Sequence, residues 1–312
     1  MRKILLGVTL TSAFLVMTTL AQPEIIRHRI NDNAAENAAT LTHEFAPTAG
    51  STRKTSALNY YGGPVVTTPT LFIIWYGNWG QASGSDTAAG QQIVRDWASN
   101  IGSSDYFRIN ATYSQKPVSG TAVYGGDAQY SGNLNTTSLS DSNILTIVND
   151  TINSGRLPYN PNGVYLVVTS SNVNESSGFC TNYCGWHTAG TASAGHVRYG
   201  FVGNAARCLS SCAAQTTSPN GNAGVDGAIS VLSHELEEAT TDPDPRTGWV
   251  DSRGQENADK CAWTFGKTYA APGGGYANVH LGSRDFLIQR NLWFSGSSWV
   301  CAMNSSGGQN GL

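Results

Sequence analysis

The chain has 312 residues, with 18 Lys and Arg against 21 Asp and Glu, a formal net charge of −3, and 12% charged residues. It has no Lys/Arg cluster, so it lacks the electrostatic footprint of a nucleic-acid partner. Its abundant Gly, Ser, Thr and Asn suit an extracellular protein.

Arg2 and Lys3 precede an apolar run over residues 4–20, and Thr19-Leu20-Ala21 supplies small residues where cleavage is expected. This predicts a secretory signal peptide over residues 1–21. A membrane anchor is the alternative, but Thr and Ser interrupt the run and no second apolar segment follows. The mature chain is therefore expected to hold no integral membrane segment. Residues 22–57 are polar, free of cysteine and without an apolar period, and read as a mobile tail or a propeptide. Residues 58–312 read as one domain.

Within it, residues 70–76 (T-L-F-I-I-W-Y) form a continuous apolar run that suits a buried strand. Residues 87–101 follow as a helix, with Ile93, Val94, Trp97 and Ile101 on one side. A short strand over 121–124 is expected next. A helix over 140–153 has Ser140 or Asp141 as its cap. Residues 164–169 (V-Y-L-V-V-T) make a second buried strand, and 197–202 a third. The alternation predicts an α/β layer fold.

The helix expected over 226–240 carries the chemistry. Ile229, Leu232, Leu236 and Ala239 mark its core face. The stretch S-H-E-L-E-E-A-T-T-D-P (233–243) differs by one residue from H-E-x-x-H, the helical zinc motif whose glutamate acts as a base. His234 and Glu238 are four apart and stack on one face, with Glu235 beside them. A catalytic zinc takes three protein ligands and leaves a place for water. His234 and Glu238 supply two, and Glu235 is the candidate base. The third is sought in G-Q-E-N-A-D-K-C (254–261): Glu256 as ligand and Asp259 as the acceptor orienting His234, or the reverse. So carboxylate-rich a set accepts Zn²⁺ and also Mn²⁺ or Ca²⁺. An acidic helix face turned to water would show the same pattern.

Six cysteines in an exported chain predict disulfides. The expected pairs are Cys180–Cys184, Cys208–Cys212 and Cys261–Cys301, with loops stapled around them. A zinc knuckle of Cys180, Cys184 and His187 is the alternative. His187 otherwise reads as a loop histidine, a ligand or a substrate-orienting group. His196 and His280 read as structural, and Asp242 as a backbone cap or a support for the site. Tyr60, Tyr61, Trp75, Tyr76 and Trp79 either stack on sugars or pack the core. Glycosylation sequons start at Asn110, Asn135, Asn149, Asn174 and Asn304.

Y-Y-G-G-P-V (60–65) and I-I-W-Y-G-N-W (73–79) resemble the opening motif of the plant EXORDIUM family, also called phosphate-induced protein one. F-C-T-N-Y-C-G-W-H (179–187), the V-G-N stretch with C-L-S-S-C (202–212), S-H-E-L-E-E (233–238) and E-N-A-D-K-C (256–261) follow in that family's order. The resemblance spans roughly 58 to 301. It implies an exported, extracellular or cell-wall protein linked to growth control. The acidic T-D-P-D-P-R-T-G-W-V-D (241–251) departs from the plant pattern. The H-E-x-x-E helix after α/β units is also similar in arrangement to zincin-type metallopeptidases. The leading expectation is thus a secreted metal-dependent hydrolase acting on peptide. The alternative is a non-catalytic protein that binds cell-wall polysaccharide or a protein partner.

Overall fold

The computed structural model describes residues 26–29 and 57–311. The expected signal peptide lies outside them, as does most of the expected tail. Six strands make the main sheet: β1 (Ile26–Arg29), β2 (Thr70–Tyr76), β3 (Val123–Gln129), β4 (Gly163–Thr169), β5 (Tyr183–Ala192) and β6 (Gly195–Gly203). Their order is β1-β5-β6-β4-β2-β3. The strands from β6 to β3 run parallel, β5 returns antiparallel beside β6, and β1 pairs antiparallel with β5.

Three helices cover this sheet: α1 (Ala88–Ile101), α2 (Asp141–Asn153) and α3 (Ala223–Thr241). Strand β4 is buried at all seven positions, as expected when helices cover both faces of a parallel sheet. Gly185 of β5 faces Val231 of α3, whereas Gly190 faces Leu145 of α2. Odd and even positions along β5 thus separate the two helical layers.

Local sequence explains the helix starts. Thr87 caps α1 by accepting the Gly90 N–H, and Ser140 forms a capping box with Asn143. Asn222 caps α3 through the Val225 N–H. The expected strand at 121–124 is instead Val123–Gln129, running through Gly125 and Gly126. A Cβ at Gly125 would sit 2.3 Å from the Phe72 ring, so the glycine admits the neighbouring strand's aromatic side chain. Strand β5 lies partly in the stretch read as cysteine-bearing loop. The pattern Y-C-G-W-H-T-A-G-T-A hides its alternation because glycines occupy packed positions. β1 falls within the stretch read as tail.

All six cysteines are oxidised, but only one expected pair is right. Cys261–Cys301 is present, whereas Cys180 joins Cys208 and Cys184 joins Cys212. Cys208 caps and Cys212 ends a helical turn, Leu209–Cys212, and residues four apart on a helix share a face. They therefore face a common partner segment, not each other. No thiol remains for a zinc knuckle.

Trp75, Tyr76 and Trp79 are buried, with Trp75 and Trp79 packed edge to face. The core-packing reading holds for these three, while Tyr61 is exposed. Asn110 is fully buried, which closes its sequon in the folded chain. Among the described residues no helix is long and apolar enough to cross a membrane. The disulfides fit an extracellular protein.

Candidate functional site

Helix α3 has no solvent face: every residue from Gly224 to Thr241 is buried. This removes the reading of an acidic face turned to water. Its polar groups instead meet partners from β5 and from residues 256–259. Gly185 lets the helix approach, since a Cβ there would lie 2.6 Å from Val231 Cγ1 and 3.2 Å from Glu235 Oε1. His187, two residues further along β5 and on the same face, reaches the helix carboxylates.

Glu238 stands at the centre. Its Oε1 lies 2.9 Å from His234 Nε2 and accepts the Asp259 N–H at 2.9 Å. Its Oε2 lies 3.6 Å from His187 Nδ1. His187 Nδ1 is also 3.2 Å from Glu235 Oε2, and its Nε2 is 3.5 Å from Glu256 Oε1. Asp259 Oδ1 is 3.7 Å from His234 Nε2. Two trios thus share Glu238: His234 with Asp259, and His187 with Glu256. In each, one ligand-type atom per residue lies within 4.8 Å of the others.

The expected set is brought together, but in a different grouping. His234, Glu238 and Asp259 converge directly, while Glu256 converges with Glu238 through His187. His187 is no loop histidine; it is a fully buried strand residue. Its reach to the helix depends on β5, whose alternation is masked in the sequence by Gly185 and Gly190 at packed positions. Glu256 is in irregular backbone and residues 257–258 form a turn, not a helix, and a 3₁₀ turn starts at Asp259. The Cys261–Cys301 bridge anchors that turn. Asn257 ties it to α3 by donating to the Glu237 backbone carbonyl at 3.4 Å and to Asn110 Oδ1 at 3.1 Å.

Electrostatics follow from enclosure. His187, His234, Glu235, Glu238 and Glu256 are all fully buried. Burial raises the carboxyls of Glu235 and Glu256, and pushes Glu238 up to about 7 despite neighbouring His234. Burial alone would lower both imidazoles. The Glu256 and Glu235 carboxylates outweigh it at His187, and Glu238 and Asp259 at His234, so both titrate well above the usual range. Several buried atoms here have no hydrogen-bond partner: His187 Nε2, Glu235 Oε1, Glu238 Oε2 and both oxygens of Glu256.

The remaining candidates are local. Asp242 accepts the N–H groups of Arg246, Thr247 and Gly248 and so caps the turn after α3. His196 pairs with Asp244, and His280 with Asp285, at exposed positions. Glu237 is held by Asn110 and Asn291. A crevice of about 610 Å³ lies elsewhere, lined by Tyr76, Asn78, Gln129, Tyr130 and Asn172 among others. It contains none of the clustered acids.

Over residues 58–283 the chain matches the family model described as the phosphate-induced protein 1 conserved region. It is 29% identical over 294 residues to Protein EXORDIUM-like 3 of Arabidopsis thaliana, covering 80% of this chain and 83% of that protein. It is 27% identical over 282 residues to Protein EXORDIUM-like 5 of the same plant, covering 74% of each. No solved structure matches it. The matched span takes in β2 to β6, all of α3 and the 256–259 turn, so the chain belongs to the phosphate-induced protein 1, or EXORDIUM-like, family.

Proposed function

We propose that the chain is a metal-dependent hydrolase of peptides, with a zincin-like arrangement of helix and sheet. One observation carries this reading. Five fully buried imidazole and carboxylate groups, with Asp259 at their margin, gather from a strand, a helix and a turn around Glu238. Atoms of His187, Glu235, Glu238 and Glu256 lack a hydrogen-bond partner there, and buried polar atoms are costly without a compensating partner.

The donor set fits a divalent cation. Glu238, His187 and Glu256 supply the unpartnered atoms. His234 and Asp259 engage the other oxygen of Glu238, as ligands or as the groups that hold it in place. Two imidazoles among carboxylates suit Zn²⁺ or Mn²⁺ better than Ca²⁺, which prefers six to eight oxygens. When bound, the metal lowers the pKa of coordinated water and polarises a carbonyl. Glu235 would be the group that accepts a proton from the attacking water and returns it to the leaving amine. Its enclosure and raised carboxyl suit that role.

The test is metal analysis of the purified full-length chain, followed by incubation with a peptide library. Stoichiometric metal and cleavage are expected from the wild type. Glu235→Gln is expected to keep the metal and lose about 10²–10⁴-fold in rate. Absence of metal at neutral pH, or equal cleavage by both proteins, would remove the reading.

A further inference from the structure

The order β3-β2-β4 sets β2 between the two sheet strands that follow it in sequence. The chain passes from β2 to β3 on one side, then crosses back to β4 on the other. The intervening helices lie in different layers. α1 packs with α3, where Trp97 donates to Ser233 at 3.0 Å, while α2 meets the opposite face of β5 through Leu145. Where the strand order reverses in this way, open α/β sheets bind ligands in a crevice outside the carboxyl ends of the strands. The crevice of about 610 Å³ occupies that position: Tyr76 ends β2, Gln129 ends β3, and Asn172 lies just beyond the end of β4. Small-ligand sites usually enclose about 300–1,000 Å³.

Its lining is polar without charge: amides, threonines and two tyrosines, with glycine and aliphatic residues between them. One internal bond orients each of three amides. Asn78 Oδ1 accepts the Gly80 N–H at 3.1 Å, Gln129 Nε2 donates to the Gly77 carbonyl at 3.1 Å, and Asn172 Oδ1 accepts from Ser170 Oγ at 2.7 Å. Asn78 Nδ2, Gln129 Oε1 and Asn172 Nδ2 stay uncommitted among the described residues. Tyrosine hydroxyls brace the loop that follows β3. Tyr76 donates to the Thr136 carbonyl at 2.7 Å, and Tyr130 donates to Asp150 at 2.8 Å while accepting the Leu134 N–H at 3.2 Å. The two rings pack with centroids 5.4 Å apart. A phosphorylated ligand would call for Arg or Lys, and a metal for carboxylates or imidazoles. The described lining has none of these. Fixed amide donors and acceptors beside an aromatic ring suit a neutral, hydroxyl-rich ligand with one apolar face.

We propose that this crevice binds a neutral oligosaccharide, at a site separate from the carboxylate cluster. Sugar hydroxyls both donate and accept, so they pair with the uncommitted ends of Asn78, Gln129 and Asn172. The half-buried Tyr130 gives the apolar face of a sugar ring a surface to pack on. Binding here needs neither metal nor turnover and does not depend on the hydrolase reading.

The experiment is titration calorimetry in chelator on the full chain, made in a host that forms disulfides and does not glycosylate, because Asn135 in the lining begins a sequon. The probes are neutral hexasaccharides of β-1,4-glucan, β-1,3-glucan, β-1,4-mannan and β-1,4-xylan, with hexagalacturonate as the charged comparison. At least one neutral probe is expected to bind the wild type. Gln129→Ala/Asn172→Ala is expected to weaken it at least about tenfold, since each lost hydrogen bond costs a several-fold factor. Asn135→Trp, which fills the crevice from its rim, is expected to abolish binding. All three positions are exposed, so the variants keep their fold. No binding of any neutral probe at millimolar concentration overturns the saccharide site. Undiminished affinity in both variants overturns its location, and equal or tighter binding of hexagalacturonate overturns its neutral preference. Each result stands whether or not the chain binds metal or cleaves peptide, so the two readings fail separately.

Discussion

His187 Nδ1 lies 3.2 Å from Glu235 Oε2, joining strand β5 to helix α3 across 48 residues of sequence. The contact binds the two halves of the cluster into one unit. Any account of the site must therefore include a strand residue that the H-E-x-x-E motif does not contain.

Metal content separates the two trios. Glu238→Gln is expected to abolish binding, since both trios share this carboxylate. If His187 and Glu256 are the principal ligands, His187→Ala loses metal while His234→Ala lowers affinity by about 10–100-fold, as expected for an orienting partner. Elemental analysis and competition with a chromophoric chelator measure both. Retention of stoichiometric metal by His187→Ala would move the ligand role to His234 and Asp259.

Without metal, stability should fall as pH rises. Burial and the neighbouring charges hold Glu238 at about 7 in the folded chain, against ~4.3 when unfolded. The folded state thus binds more protons across that window, and stability declines through it. His187 and His234, both raised by adjacent carboxylates, act with the same sign: their contribution is full below ~6.5 and is lost above it. In chelator, the melting temperature should drop between about pH 5 and 8, by roughly 2–4 °C per kcal/mol lost. Added Zn²⁺ should flatten the slope. A flat profile in chelator would show that these groups are not protonated as the geometry requires.

Gly185→Ala tests the close approach of α3 to β5. The added methyl would meet Val231 Cγ1 at 2.6 Å and the Phe201 carbonyl at 2.9 Å. Overpacking of this kind costs about 1–3 kcal/mol. Chemical denaturation should show that loss, and metal affinity should weaken as Glu235 and His187 part. Gly126→Ala is no control, because its φ of +119° adds backbone strain.

The Cys261–Cys301 bridge anchors the end of the 3₁₀ turn that carries Asp259. Replacing both cysteines with Ser should destabilise the chain by about 2–5 kcal/mol and lower metal affinity further than Asp259→Asn alone. Non-reducing peptide mapping should also recover 180–208 and 184–212 as linked pairs. Recovery of 180–184 would contradict the fold around β5.

Much of the fold was legible because periodicity reports burial. T-L-F-I-I-W-Y and V-Y-L-V-V-T are apolar throughout because both faces of β2 and β4 are covered. The stripe of α1 was readable from Ile93, Val94, Trp97 and Ile101, all of which are buried. β5 was hidden because its packing uses Gly185 and Gly190, where neighbouring side chains occupy the space. That omission left the role of His187 open among a loop histidine, a ligand and a substrate-orienting group, and also misassigned the disulfides, because nearness along the chain stood in for nearness in space. The two crossed bridges have the same sequence separation, 28 residues, a parallel stapling that cysteine count cannot reveal. His234, Glu238 and Asp259 were recoverable because a helix four-spacing and an adjacent disulfide anchor are local features.

The enclosure of α3 bears on how this helix tolerates change. An amphipathic surface helix accepts substitutions with a 3.6-residue rhythm, permissive on its wet side and intolerant on its dry side. Here Glu237, Ser233 and Thr240 are as enclosed as Leu232 and Leu236. Ser233 accepts from Trp97, Glu237 is held by two asparagines, and Thr240 donates to the Leu236 carbonyl. Saturation mutagenesis from Gly224 to Thr241 should therefore yield an almost continuous band of intolerance, with apolar replacements failing at the polar positions as surely as polar ones fail among the leucines.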